Sequence, residues 1–199
     1  MMTDSLPTAE ELQRLGQDIL DWSDQNPRPM PWNNLSDPYK IWIAEVILQQ
    51  TRVAQGISYF KDFIEKFPDV YTLAEASEEE VMRVWEGLGY YSRARNLHAA
   101  ARYVVLECSG VMPDNYQDLL KLKGVGPYTA AAVASFAYEE AVGVVDGNVK
   151  RVIARIFGIE ESIDEPSVHR HIQAVVNKAI HYFTPSEFNQ AIMNFGALQ

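Results

Sequence analysis

Glu45 sits inside an apolar run, Ile41-Trp42-Ile43-Ala44-Glu45-Val46-Ile47-Leu48. Desolvation there penalises the charged carboxylate, so its pKa is expected to rise and it can hold a proton near neutral pH. Taken alone, it also reads as a helix-face glutamate paired with Lys or Arg. A second segment, Leu122-Lys123-Gly124-Val125-Gly126-Pro127-Tyr128-Thr129, runs into the small-residue stretch Ala130 to Ala137. A helix that stops at Gly-x-Gly and restarts at once is a tight helix–hairpin–helix. The two glycines allow φ > 0 and close backbone approach, and Pro127 presets the next first turn. Such a turn exposes backbone N–H groups beside a helix N-terminus, a phosphate-type anion site with Lys121 and Lys123 nearby. An ordinary αα-hairpin with a glycine turn is the plain alternative. A third segment, Val145-Asp146-Gly147-Asn148-Val149-Lys150-Arg151-Val152, places an acid before a helical stretch, where the local reading is an N-cap.

The elements that must position these groups are helices. Thr8 and Glu11 form a capping box ahead of Leu12, Leu15, Ile19 and Trp22 at helical spacing. Asn26 to Asn34 carries three prolines and reads as a loop. Asp37-Pro38 opens a helix to about Gln50. Val53, Ile57, Phe60, Phe63, Ile64 and Phe67 form a stripe ended by Pro68. Ser77 with Glu80 opens another helix, with Gly87 as its C′ residue. A long helix covers Ser92 to Cys108, and Thr184-Pro185 opens a last one that Gly196 closes. The fold class is all-α.

Composition sets outer bounds. With 17 Lys+Arg against 27 Asp+Glu the net charge is −10, which argues against nonspecific coating of nucleic acid but leaves a local docking face open. A hydrophobic content of 47% with 22 aromatic residues (4 Trp, 10 Tyr, 8 Phe) excludes the disordered class. No apolar run reaches the roughly 18 residues of a membrane span, and the N-terminus shows no secretory pattern. The one cysteine, Cys108, excludes a disulfide framework or a four-cysteine metal site within this chain. The expectation from composition is a soluble, intracellular, mostly single-unit protein.

The hairpin and Asp146 together, at this spacing, resemble the helix–hairpin–helix Gly-Pro-Asp superfamily of DNA base-excision glycosylases. More narrowly, the chain resembles the catalytic domain of MutY-type adenine glycosylases. The matching runs are Pro31-Trp32, DPYKIWIAEVILQQTRV (37–53), WEGLGYYSRARNLH (85–98), LKGVGPYTAAAV (122–133) and VDGNVKRV (145–152). The resemblance implies two helical lobes with a DNA-binding cleft between them. One lobe is a six-helix barrel-like unit over 31–135, with the hairpin at about 116–135. The other is discontinuous, 1–30 plus 136–199.

The resemblance also implies roles. Hydrolysis of an adenine N-glycosidic bond needs a protonated purine N7 and a stabilised sugar cation, much as two carboxylates divide these roles in glycoside hydrolysis. Glu45 is then the general acid at N7, and Asp146 stabilises the cation, positions water or forms a transient covalent sugar. Tyr128 and Asn148 line the site, though Asn148 can equally cap a helix. Endonuclease III-like relatives carry a Schiff-base lysine where this chain has Tyr128, so it is expected to be monofunctional, without strong β-lyase activity. The target base must leave the stack. Gln50 and Tyr90 match residues that wedge into the duplex, with Leu88 beside them and Thr51 and Arg52 near the orphaned base. Tyr90 and Tyr91 can otherwise be half-buried surface aromatics. Lys123, Gly124, Gly126, Arg93, Arg95, Lys150 and Arg151 are candidate phosphate contacts, or isolated surface cations and turn glycines.

The sequence departs from the family in places. Relatives continue past Gly-Ala-Leu into four cysteines holding a [4Fe–4S] cluster and then a domain that recognises 8-oxoguanine. Here Gly196-Ala197-Leu198 is followed only by Gln199, so either a truncated piece or a protein that lacks the cluster is expected, truncation being favoured, with no cofactor held within this chain. Asn33 and Gln190 stand where relatives carry Arg and Glu. The resemblance implies as partner double-stranded DNA with adenine opposite 8-oxoguanine or guanine, met by a monomer with no membrane association, in a bacterial-type cytoplasm and at the nucleoid through DNA. The alternatives are an endonuclease III-like glycosylase for damaged pyrimidines, a non-catalytic helix–hairpin–helix module, or a helical protein-interaction domain.

Overall fold

A computed structural model describes residues 6–32 and 35–199 of the chain. Among the described residues all regular structure is helical, and no helix is long and apolar enough to cross a membrane. The chain divides into two compact units. One is continuous, Met30–Tyr138; the other joins Met1–Pro29 to Glu139–Gln199. The continuous unit ends at Tyr138, not at 135, because its last helix runs that far.

In chain order the continuous unit holds α2 (Pro38–Leu48), α3 (Val53–Lys66), α4 (Val70–Glu75), α5 (Glu78–Val84), α6 (Ser92–Glu107), α7 (Tyr116–Leu119) and α8 (Pro127–Tyr138). Helix α2 is its centre. Tyr39, Ile41, Trp42, Ile43, Ala44, Val46 and Ile47 are all buried, so apolar residues surround the axis and no face is left for water. Asp37 caps it by accepting from the Tyr39 N–H at 3.0 Å, and Pro38 fills the first turn. Helix α8, whose buried Ala130, Ala131, Ala132 and Ala134 are small enough to let two backbones approach, packs along α2. Helix α2 stops at Leu48, short of Gln50: Gln49 leaves helical backbone (ψ 114°) and Gln50 is left-handed (φ 55°).

The other unit contains α1 (Ala9–Gln25), α9 (Gly147–Ile156), α10 (Pro166–Ala179), a 3-10 turn (Ile180–Tyr182) and α11 (Pro185–Leu198). Leu12 and Ile19 of α1 share one core with Val149 and Ile153 of α9, Ile172 and Val176 of α10, and Phe188 and Ile192 of α11. The Thr8–Glu11 capping box forms as expected. Gly196 does not close α11, which continues to Leu198. Its missing side chain serves packing: a Cβ there would lie 2.9 Å from the backbone oxygen of Asn148.

His98 of α6 is 5% exposed, with Nε2 2.9 Å from the Ala76 carbonyl oxygen. A carbonyl only accepts, so Nε2 carries the hydrogen. Burial, and then the charge of Arg102, hold this imidazole below its usual pKa; burial and Lys150 do the same to His169. Both histidines resist protonation in the fold and accept it in the unfolded chain. Stability is therefore full above the unfolded value of about 6.5 and falls as pH drops towards the lowered folded values. Urea midpoints measured from pH 7.5 to 5.5 should decline, and His98→Gln should flatten that slope.

Candidate active site

Glu45 lies in the middle of α2 and is 7% exposed, between the buried Ala44 and Val46. Helix α8, which packs on α2, carries the half-buried Tyr128 in its first turn. The Gln49 amide donates to the Thr129 hydroxyl at 3.1 Å, tying the end of α2 to that turn. Gln49 is one of the residues that sequence reasoning missed, since nothing in a Gln-Gln pair says which member turns inward. Gln50, the exposed member, follows it.

Beyond α2 the chain turns through Thr51 and Arg52. The Thr51 N–H donates to Leu48 O at 3.2 Å, and exposed Arg52 opens α3, its carbonyl accepting from Gln55 and Gly56. The loop over Gly87 to Tyr90 comes alongside. Gly87, Gly89 and Tyr90 all have left-handed φ, at 89°, 76° and 46°. Leu88 is turned inward at 7% exposure, whereas Tyr90 is 62% exposed. Of the expected wedge residues, Gln50 and Tyr90 thus face outward and Leu88 anchors the loop.

Arg93, a candidate phosphate contact by sequence, is instead directed into the protein. Its Nη1 donates towards the carbonyls of Gln49, Val46 and Ile47 at 2.5, 2.9 and 3.0 Å. The guanidinium lies over the rings of Trp85 and Tyr90, 5.2 and 5.6 Å from their centroids. The last carbonyls of a helix have no intrahelical partner and attract a cation, and α2 has no basic residue in its last turn. A residue far along the chain supplies it, which no local pattern could signal. Arg93 also lines a cavity of about 70 Å³ with Trp42, Gln49, Asn96 and Lys123, polar and large enough for water.

The hairpin joins α7 to α8. Gly124 has φ 82°, and a Cβ there would lie 2.6 Å from the Asn96 Cβ. Gly126 differs from expectation: its φ is not left-handed, and a Cβ there would meet nothing within 4 Å. Its carbonyl accepts from the Ala130 N–H at 2.9 Å, starting α8. Lys123 is exposed. Lys121 is held by Asp118 at 2.6 Å, and Arg95 by Glu78 at 3.1 Å.

In the other unit, Asp146 is both a cap and more. One carboxylate oxygen accepts from the Val149 N–H at 2.8 Å, and the other accepts from the Asn148 amide at 3.0 Å. Arg151 donates to Gly196 O at 2.6 Å, so it braces α11 against α9, and Lys150 is half-buried beside it on α9. The chain enters Asp146 through residues 142–145, held by side-chain amides where a sheet would use a strand. Asn189 accepts from Val144 N–H at 3.0 Å and donates to Val142 O at 3.0 Å. Asn177 accepts from Gly143 N–H at 2.9 Å, and Gln173 donates to Gly143 O at 2.8 Å. This amide set escaped sequence reasoning, because half-buried Gln173 and Asn177 on α10 and buried Asn189 on α11 look like surface residues in a pattern. Gln190, in α11, points its amide at Asn194 Oδ1 at 3.4 Å. Asn33 lies outside the described residues.

A helix–hairpin–helix followed by a capped, amide-held aspartate defines a class. The chain belongs to the HhH-GPD superfamily of base excision DNA repair proteins, whose family model matches residues 43–178. Within it, the chain is 43% identical to an adenine DNA glycosylase of Mus musculus over 188 residues, covering 90% of this chain and 36% of that protein. It is 42% identical to the adenine DNA glycosylase of Homo sapiens, covering 90% of this chain and 34% of that one. The chain thus spans about a third of the length of these relatives. A thermostable thymine-DNA glycosylase superposes with TM-score 0.86 at 28% identity, over 95% of this chain and 87% of that one.

A [4Fe–4S] cluster needs four thiolates. The 199 residues supply Cys108 alone, partly exposed at the end of α6, and among the described residues no His, Cys, Asp or Glu group fits a metal. These residues do not fit that cluster, and no chemistry below passes through it.

The two hairpin glycines should separate in a stability assay. Gly124→Ala should cost about 1–3 kcal/mol, the scale of a non-glycine residue forced left-handed. Gly126→Ala should stay within about 1 kcal/mol of the parent in urea unfolding.

Proposed function

We propose that this chain is the catalytic region of a monofunctional adenine DNA glycosylase, hydrolysing the N-glycosidic bond of adenine opposite 8-oxoguanine or guanine. The observation that carries the reading is Glu45: a carboxyl group 7% exposed within the otherwise apolar stretch 41–48 of α2, in a chain 43% identical to an adenine glycosylase. Burial disfavours the carboxylate relative to the acid, which suits a proton donor. Glu45 delivers its proton to N7 of the extruded adenine, so the base leaves neutral. The bond electrons depart with the base, and positive charge develops at C1′.

Asp146 supplies the opposing negative charge. Its two hydrogen bonds fix the carboxylate before any charge develops, so little reorganisation accompanies the reaction. Asn148 orients it, and water completes the hydrolysis. Tyr128 offers no amine, so no Schiff base forms and the strand is left intact at an abasic site. Exposed Lys123 and the open backbone at Gly126 receive a phosphate of the lesion strand, where a Cβ at 126 would intrude. Gln50 and Tyr90 enter the duplex where the adenine leaves, with Thr51 and Arg52 beside the partner base. Half-buried Lys150 and Arg151 act on the backbone from α9, Arg151 chiefly by holding Gly196.

Single-turnover reaction with a duplex carrying one 8-oxoguanine·A pair tests this. Strand breaks should appear only after alkali, and a G·T duplex should give far fewer. Glu45→Gln and Asp146→Asn should each lower the rate by at least about a hundredfold, on the scale of lost acid or electrostatic catalysis. Asparagine caps a helix as well as aspartate does, so Asp146→Asn should unfold within about 0.5 kcal/mol of the parent. Breaks without alkali, or an active Asp146→Asn variant, would refute the reading.

A further inference from the structure

Two exposed residues of the continuous unit, Gln50 and Tyr90, adopt left-handed backbone that side chains rarely adopt, at φ 55° and 46°. They lie 40 positions apart, on different loops. The carbonyl just before each of them belongs to Gln49 and to Gly89. One side chain reaches both: Arg93 donates through Nη1 to Gln49 O at 2.5 Å and through Nη2 to Gly89 O at 3.3 Å. Nη1 also takes the carbonyls of Val46 and Ile47, and Nη2 lies 3.5 Å from Leu88 O. Trp85, buried at 1% exposure, adds a second hold, its indole N–H donating to Gly89 O at 3.0 Å. The guanidinium lies over this ring and over that of Tyr90, 5.2 and 5.6 Å from their centroids.

We propose that Arg93 is a positioning residue: its guanidinium ties the peptide before Gln50 to the peptide before Tyr90, so that both side chains meet one base-pair step as a single rigid wedge. The inference rests on the reading of Gln50 and Tyr90 as the residues that enter the duplex. A planar fork with five donors can serve two loops and a helix end at once. A lysine at the same place keeps the positive charge at the α2 terminus but is a point donor, and it cannot hold both peptides. The geometry also accounts for the strain. Left-handed residues persist where their surroundings over-determine them, and here the preceding carbonyl of each is pinned by a charged donor.

The test reads binding, so that it stands apart from catalysis. Affinity is measured for a duplex holding a tetrahydrofuran abasic analogue opposite guanine and for the same duplex fully paired. The ratio reports how well the wedge fills a gap. Arg93→Lys, with Arg93→Met as a harsher partner, is compared with the parent, and both are repeated in a Gln50→Ala/Tyr90→Ala background. Urea midpoints are taken for every chain, and Tyr39→Phe, which removes the hydroxyl donating to Phe67 O at 2.7 Å, serves as a destabilised control away from the loops.

In the parent background, Arg93→Lys should lower the gap preference roughly tenfold, the scale of one base–aromatic stacking contact. In the doubly substituted background the same change should shift it less than about twofold, because nothing is left to position. Tyr39→Phe should keep the parent's preference. An equal loss in both backgrounds would make Arg93 a general structural residue and overturn the proposal, as would an unchanged preference in Arg93→Lys. Failure of the parent to release adenine would count against the proposed function alone. A parent without any gap preference would remove the wedge reading and this inference with it.

Discussion

Helix α2 has no exposed residue between Pro38 and Leu48, yet carries a buried carboxyl group at Glu45. That constraint orders the rest of the continuous unit. A helix buried on every side needs neighbours on every side, which the small face of α8 and the aromatic side of α3 provide. Its ends must also be satisfied without solvent. Asp37 answers the first turn, and Arg93 answers the last by reaching back from α6. Hydrogen bonds to a charged donor are worth about 1.5–3 kcal/mol each, more than neutral ones. Burial lowers the pKa of Arg93 from its ordinary value, so the clamp works against a desolvation cost that its carbonyl partners offset.

Both units use the same device at their chemical positions: a side chain holds backbone that regular structure leaves open. In the continuous unit Arg93 holds the peptides before Gln50 and Tyr90. In the other, Asn189, Asn177 and Gln173 hold the irregular residues before Asp146. Pre-set groups of this kind cost no reorganisation at the moment charge moves. Glycines mark where the backbone itself is needed. Gly124 is required by its left-handed φ and by Asn96, while Gly126 faces open space and leaves room for a ligand.

Much of this was readable from the chain. The helices announced themselves through local chemistry: the capping boxes at Thr8 and Ser77, the Asp37-Pro38 start, and the stripe from Val53 to Phe67 are patterns within one or two turns. The hairpin showed in its Gly-x-Gly-Pro turn, whereas Glu45 and Asp146 read locally as a helix-face acid and an N-cap and stood out only through the resemblance of the runs that carry them. What escaped was non-local. Arg93 and Arg151 read as surface cations, since no spacing rule tells an arginine that ends on carbonyls 44 or 45 residues away from one that meets solvent. The short helices α4 and α7 have too few residues to show a period, and they depend on packing against α6 and α8. Gly196 looked like a helix stop because glycine usually is one; close approach to Asn148 keeps it inside α11.

The central claim is that α2 presents a proton donor and not an anion. Infrared difference spectra, parent minus Glu45→Gln, isolate the carboxyl band of Glu45 while pH is varied. The account predicts a protonated C=O stretch that persists well above the ordinary glutamate value of about 4.3. A carboxylate band that emerges near that ordinary value, as for a glutamate in water, would contradict it.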